Sequence, residues 1–295
     1  MAKHHFVPQF YLRNFKIPSS KEGIYAYSRD SAPAWRNITK VAQASNFYNF
    51  VEEDGTENKK LEPVFSVIES GVKPLIEAIV TSESLPAKPE DYYSLVFFVS
   101  TLITRNRAYR NKTETLQQAV QGALKKNFPG VENQDNMGHI FNDINDGDKL
   151  RIALSSAIEA SKLINAKHAY ILKSESEEFV TSDNPVLVCS NSPYHAEIHG
   201  TGAIRGSAIM LPLNPVYCLV FDDQEISEVV KTVSDDLVNE INWLIMVYAE
   251  RNIFSSTNAS ELDEAFKKTT YGTGQAVEIS FAGETNIYRP IPRSD

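Results

Sequence analysis

"PEDYYSLVFFVSTLITRNRAYRNK", Pro89 to Lys112, decides the fold class of this chain. It opens with a proline and two acids, a helix N-terminal signal, then runs apolar nearly all round from Leu95 to Ile103. A helix with no polar face must be covered on every side, so other elements have to surround it. The spacing predicts one helix throughout, with Phe98, Leu102, Arg105 and Tyr109 along one face. Arg105 therefore projects from a row of core residues. A guanidinium keeps its charge, so a buried one requires a carboxylate or a bound anion. Arg107 and Arg110 have no such constraint and are expected to be solvated.

Elements that could surround this helix lie on both sides of it. Upstream, the pattern predicts a helix from about Pro63 to Val80 with Val64, Ile68, Leu75 and Ile79 as its apolar stripe. Glu62 and Glu69 lie seven apart, nearly in line beside that stripe, and Glu69 is spaced for a surface pair with Lys73. Downstream, "DKLRIALSSAIEASKLINAKH" (Asp148 to His168) is amphipathic, and the acidic "NQDNMGHIFNDINDGDKL" (Asn133 to Leu150) reads as a long surface connection.

Strands fill the rest. "GIYAYSRD" and "AWRNITKVA" read as a hairpin, "NFYNF" as a third strand, and "EEDG" as a closing turn. "HAYILKSESEEFVTSDNPVLVCS" reads as a hairpin closed by "SESEE", then a turn at Asp183–Asn184–Pro185 and a further strand. Asn184-Pro185-Val186 and Asn214-Pro215-Val216 each launch an apolar strand, proline suiting a strand's first residue. Between them "HGTGAIRG" is a glycine-bearing loop with His199 and Arg205. Ser234 caps a helix through "LVNEINWLIMVYAE", followed by a strand at "NIFSST" and a helix at "NASELDEAFKKT". Helices and mainly antiparallel strands in separate blocks predict an α+β fold, largely helical, as one compact domain over 1–295. A subdivision into 1–132 and a sheet-rich 148–295 is the other arrangement these blocks allow.

With 295 residues and a formal charge of −9, the chain is ill suited to general nucleic-acid binding, which rests on phosphate neutralisation. A nuclease with its basic groups in one cleft is compatible with that charge. Cys189 and Cys218 both sit in apolar stretches, fitting buried thiols of a reducing compartment. The polar N-terminus and the lack of a membrane-length apolar run predict a cytoplasmic protein with no membrane partner.

The opening "KHHFVPQFYLRNF" (Lys3 to Phe15) predicts an arm with a short helix from Pro8 through Asn14. Tyr11 is four residues from both Val7 and Phe15, giving one aromatic face. His4 and His5 precede the positive end of that helix, which favours neutral rings able to bind metal or accept a proton. Neighbours on an extended chain point to opposite sides, so one ring can anchor the arm while the other faces a cleft.

Taken together, these stretches resemble an uncharacterised bacterial family, a domain of unknown function, over most of the chain. The likeness rests on His4, His5, Pro8, Tyr11, Leu12 and Phe15 of the opening motif, then Glu62 and Glu69, then Arg105. It continues in the Ser182-Asp183-Asn184-Pro185 turn and in Pro212 with Pro215. Where family members carry a proline soon after the helix arginine, this chain reads "RNRAYRN". The resemblance implies a shared fold and a shared site, and no particular activity.

Two functional readings follow from these groups. In one, the protein is a hydrolase of a phosphate-containing substrate, of nuclease or nucleotide-phosphodiesterase type. His4, His5, Asp183 and Asn184 are its catalytic candidates and Arg105 its substrate-binding clamp. Glu62 and Glu69 are candidate ligands, with His5, for a divalent metal. In the other, it is a non-enzymatic binding or inhibitory protein, as in phage–bacteria conflict, and the same residues form a structural polar network. The first predicts a cavity where these groups meet; the second predicts none. No H-E-x-x-H, G-x-S-x-G, Walker loop or paired C-x-x-C is present.

Overall fold

A computed structural model describes residues 3–51, 56–58, 61–133, 141–142, 145–190, 207–269, 277–281 and 284–288. The arm is strand β1 (Lys3–His5) and a single helical turn α1 (Gln9–Leu12), Pro8 serving as the extended N-cap. Short strands follow: β2 (Gly23–Ser28), β3 (Ser31–Asn37), β4 (Gln43–Ser45), β5 (Phe50–Val51) and β6 (Glu57–Asn58). Helices α2 (Leu61–Ser82), α3 (Pro89–Thr104), α4 (Arg107–Asn127) and α5 (Asp146–Asn165) form the middle of the chain. Then come β7 (His168–Ser174), β8 (Thr181–Ser182), β9 (Leu187–Ser190), β10 (Ser207–Pro212), β11 (Tyr217–Asp222) and β12 (Val230–Val233). The described chain ends with α6 (Asp235–Tyr248), β13 (Asn252–Ser255), α7 (Ser260–Lys268), and the hairpin β14 (Val277–Phe281) with β15 (Glu284–Tyr288).

The architecture is α+β. A five-stranded sheet in the order β12-β7-β11-β10-β9 stands at its centre, antiparallel except where β12 joins β7. Both faces of this sheet are covered, and the period of two sorts its residues. Ile171, Ile209, Leu211, Leu219 and Phe221 join the core built with α2, α3 and α5. Tyr170, Leu172, Met210, Cys218 and Val220 join the core built with α6 and α7. The helix at Pro89 is sealed as its composition demands, with Leu95, Val96, Phe98, Val99 and Leu102 all buried. A second sheet, β3-β2-β13-β8, takes strands from both ends of the chain, so residues 1–132 and 148–295 are interleaved rather than separate bodies.

Four expectations are corrected. The stretch from Pro89 to Lys112 is two helices: α3 ends at Arg105, and Asn106 caps α4 by accepting the Tyr109 N–H at 2.8 Å. An asparagine at a cap stabilises a new helix start and breaks the run there. The "SESEE" segment does not close a hairpin. After β7 the chain docks on α6, where Asn242 accepts from the Val180 N–H and donates to the Glu178 carbonyl. It then delivers β8 to the second sheet, against β13. The buried stripe of α2 is Phe65, Val72, Ile76 and Ile79, and Val64 lies exposed. "NFYNF" is mostly a turn, Asn46 adopting φ 52° between β4 and β5. "EEDG" and "HGTGAIRG" lie outside the described residues, as does the middle of the acidic connection. Cys189 and Cys218 are buried and free. Among the described residues no helix is long and apolar enough to cross a membrane.

Candidate functional site

β1 pairs antiparallel with β4, which holds the two histidines in extended backbone and sends their rings apart. His4 turns inward: it is 5% exposed, its Nδ1 accepts the Tyr48 N–H at 2.9 Å, and its ring stacks on Tyr48. His4 is therefore an anchor, tying the arm to the turn after β4. His5 turns towards a cleft of about 310 Å³ whose wall also carries Gln9, Arg13, Glu62, Glu69 and Lys73.

A row of hydrogen bonds orients the His5 ring. Gln9 Nε2 lies 3.2 Å from His5 Nδ1, while Gln9 Oε1 accepts from Arg13 Nη2 at 3.1 Å. Because the amide oxygen is taken by Arg13, the amide nitrogen donates to Nδ1, and a neutral ring carries its proton on Nε2. Arg13 is itself held by Glu22, at 3.1 Å. The Nε2 atom is buried without an aligned partner. Burial pulls the ring's pKa below its usual value, and the nearby Thr39 and Ile38 carbonyls offset this only in part.

The opposite wall is a polar stripe on α2. Glu62, Ser66, Glu69, Ser70 and Lys73 recur at helical spacing and all line the cleft. Glu69 does not pair with Lys73 at the surface as expected. Its Oε1 lies 2.9 Å from Arg105 Nη1, and Arg105 is 2% exposed. The end of α3 thus delivers the guanidinium behind the cleft, over the Phe65 ring at 4.9 Å. The ion pair lacks hydrogen-bond alignment, so Arg105 Nε, Nη1 and Nη2 all remain buried without a hydrogen-bond acceptor. Glu62 Oε2 is likewise buried and unpartnered. Burial pushes the Glu69 carboxyl above its usual range; Arg105 opposes this and the charge of Glu62 adds to it.

Asp183 and Asn184 are not part of this cleft. The Asp183 carboxylate is 4% exposed and accepts three backbone N–H groups, from Glu250, Arg251 and Asn252, at 2.9 to 3.0 Å. Burial raises its pKa to about 6 against the pull of those three donors. Asn184 accepts from Asn106 Nδ2 at 2.7 Å and donates to the Tyr248 carbonyl at 3.1 Å. These are the bonds of a turn that fastens α3, α6 and β13 together. Pairing of β8 with β13 carries the turn to that junction, which separates it from His5.

Nor do Glu62, Glu69 and His5 supply a metal site: among the described residues no group of three His, Cys, Asp or Glu side chains is disposed to hold an ion. Glu69 faces Arg105 instead. Arg110, expected in solvent, packs over the Phe47 ring at 3.6 Å and donates to the Phe47 carbonyl, and burial lowers its pKa. The cleft residues overlooked in the sequence had a signal. Gln9 and Arg13 continue from His5 at intervals of four, and Ser66, Ser70 and Lys73 complete the polar face of α2.

No curated protein and no solved structure matched the chain in searches of both. A family model did match, over residues 3–259, a stretch that contains the histidine arm, the carboxylate helix, Arg105 and the Asp183 turn. The chain belongs to that family, described as protein of unknown function (DUF4238).

Proposed function

We propose that the protein is a hydrolase of a phosphate-containing substrate, of nuclease or nucleotide-phosphodiesterase type, working by general acid–base catalysis at the His5–Glu62–Glu69 cleft. The observation that carries this reading is the meeting, around one cavity, of a neutral imidazole, two carboxylates and a lysine, with a buried arginine behind them. Two neighbouring carboxylates in unlike environments make an acid–base pair. Glu69 and Glu62 are that pair: burial favours the protonated form of Glu69 while Arg105 at 2.9 Å favours its carboxylate, and Glu62 keeps one oxygen unpartnered. Lys73 and Arg13 stand at the wall to receive phosphoryl oxygens. Arg105 acts on Glu69 and is a positioning residue.

The test is turnover of bis(p-nitrophenyl) phosphate, a cyclic dinucleotide and a short single-stranded oligonucleotide, each with and without magnesium or manganese. One class should be hydrolysed, and Glu62→Gln should lower kcat by about 100-fold or more while leaving the melting temperature unchanged. Hydrolysis that survives Glu62→Gln, or none with any substrate, overturns the proposal. A binding module is the second reading, favoured by the engagement of His5 Nδ1 with Gln9 and the burial of its Nε2. It predicts that a panel ligand binds, is not turned over, and is lost in Lys73→Ala.

A further inference from the structure

A second cleft, of about 290 Å³, is lined by the next residue of the arm, Phe6, and by Arg36, Lys40, Arg107, Arg251 and Asp183. The four cations come from four places in the chain: β3, the turn after it, the first residue of α4, and the turn before β13. Elsewhere on this acidic protein, cations are commonly matched to carboxylates, as in Arg13–Glu22, Lys149–Glu114, Lys167–Asp223 and Lys173–Glu83. None of these four forms an ion pair among the described residues. Arg36 donates only to the Trp35 carbonyl, and Arg107 lies 5.3 Å over the Phe6 ring.

Asp183 offsets only one of the four charges, and its oxygens already accept three backbone N–H groups rather than any of the cationic side chains. Four like charges are thus gathered against one committed carboxylate, an arrangement that costs Coulomb energy until an anion enters. The first turn of α4 adds to it. That turn holds no acid but does hold Arg107, although a helix start favours negative charge. A bound anion there would be stabilised by the guanidinium and by the helix dipole together.

We infer that this cleft is a phosphate-binding site for a small phosphorylated ligand, held by Arg36, Lys40, Arg107 and Arg251. The number of cations suits a phosphate chain better than a single carboxylate, and forked guanidinium donors match phosphate oxygens bidentately. A net charge of −9 repels a long polyanion beyond the cleft, which favours a small ligand over a nucleic-acid strand. The inference stands whether or not the first cleft hydrolyses anything.

The experiment is calorimetric titration of the full chain with inorganic pyrophosphate, ATP and a twelve-nucleotide single strand, at low and high salt. Pyrophosphate and ATP should bind competitively and more weakly at high salt. Arg107→Gln and Arg251→Gln should each weaken them by roughly tenfold. Lys162→Gln, exposed on α5 and outside both clefts, should leave that binding unchanged. Should Arg107→Gln not fold, Arg36→Gln and Arg251→Gln, both at exposed positions, carry the test. Absence of pyrophosphate binding, binding of the oligonucleotide alone, or affinity indifferent to the arginines overturns the assignment.

Discussion

Arg105 is among the largest side chains fully withdrawn from solvent, and its one carboxylate partner among the described residues is Glu69. A buried ion pair gains little over a well-packed apolar pair, but splitting it strands a charge in a poorly solvated place. Arg105→Met should therefore cost about 3–5 kcal/mol of stability, and adding Glu69→Gln should return most of that loss. Urea denaturation of the two single variants and the double variant closes the cycle. Equal midpoints for wild type and Arg105→Met would mean that the pair is effectively solvated. Asp183 makes a prediction of a different kind. Its pKa is raised from 3.8 to about 6, so between those values the folded protein holds a proton that the unfolded chain has released. Stability from this group is complete below pH 3.8 and is lost as pH rises through about 6. Carboxyls shifted the other way, at Glu83 and Asp235, act below their ordinary values. Glu69, raised as well, and His5, lowered, titrate in the same window, so the difference between wild type and an Asp183 variant isolates this group. Asp183→Asn sacrifices acceptors for the Glu250–Asn252 backbone at every pH, yet from pH 4 to 6.5 the wild-type urea midpoint should fall relative to that of the variant, Glu69 and His5 contributing equally to both. Parallel profiles for the two proteins would show that the carboxyl does not titrate there.

At the scale of elements, legibility followed the amount of local signal. The all-apolar run from Leu95 to Ile103, the Ser234 cap and the Asn-Pro strand starts were readable because each is set by neighbours in sequence. The break at Asn106 was not, since Arg105 continues the helical spacing. What settles it is a set of bonds from Asn106 Nδ2 to Leu102, Ile103 and the distant Asn184, together with the cap on Tyr109. Likewise β8 is two residues long, and only its pairing with β13 makes it a strand. The candidate site divides along the same line. Glu62, Glu69 and His5 meet because each lies on a regular element whose facing is periodic. Residue type groups Asp183 and Asn184 with them, and tertiary pairing of β8 with β13 places them elsewhere. The basic cleft had no sequence signature at all, because its cations come from four segments and converge only in the fold.

For the molecule as a whole, the arm is the part that joins the layers. Tyr11 is completely buried, and its hydroxyl donates to the Pro212 carbonyl of β10 at 2.7 Å while meeting Thr181 Oγ1 of β8 at 2.8 Å. Those strands belong to the two different sheets. Asn14 adds a bond to the Leu213 carbonyl at 3.0 Å. The second sheet in turn places β2 and β3, from the start of the chain, beside β13 from near its end. A fragment covering residues 1–132 would lack β13 for β2 and the five-stranded sheet for α3. One covering 148–295 would expose the face bearing Ile171, Ile209 and Phe221, which α2 and α3 cover in the intact chain. Neither has a closed core, so neither should fold alone. The intact protein should instead unfold in a single transition, with far-UV circular dichroism and tryptophan fluorescence moving together. Tyr11→Phe tests the link directly. It keeps the ring but leaves the Pro212 carbonyl and the Thr181 hydroxyl buried without this partner, a loss of about 1–3 kcal/mol. Because the hydroxyl bridges both sheets, that loss should lower one shared midpoint. If the variant splits unfolding into two steps, or if either fragment shows cooperative melting by itself, the sheets are independent units and the arm is only a tether between them.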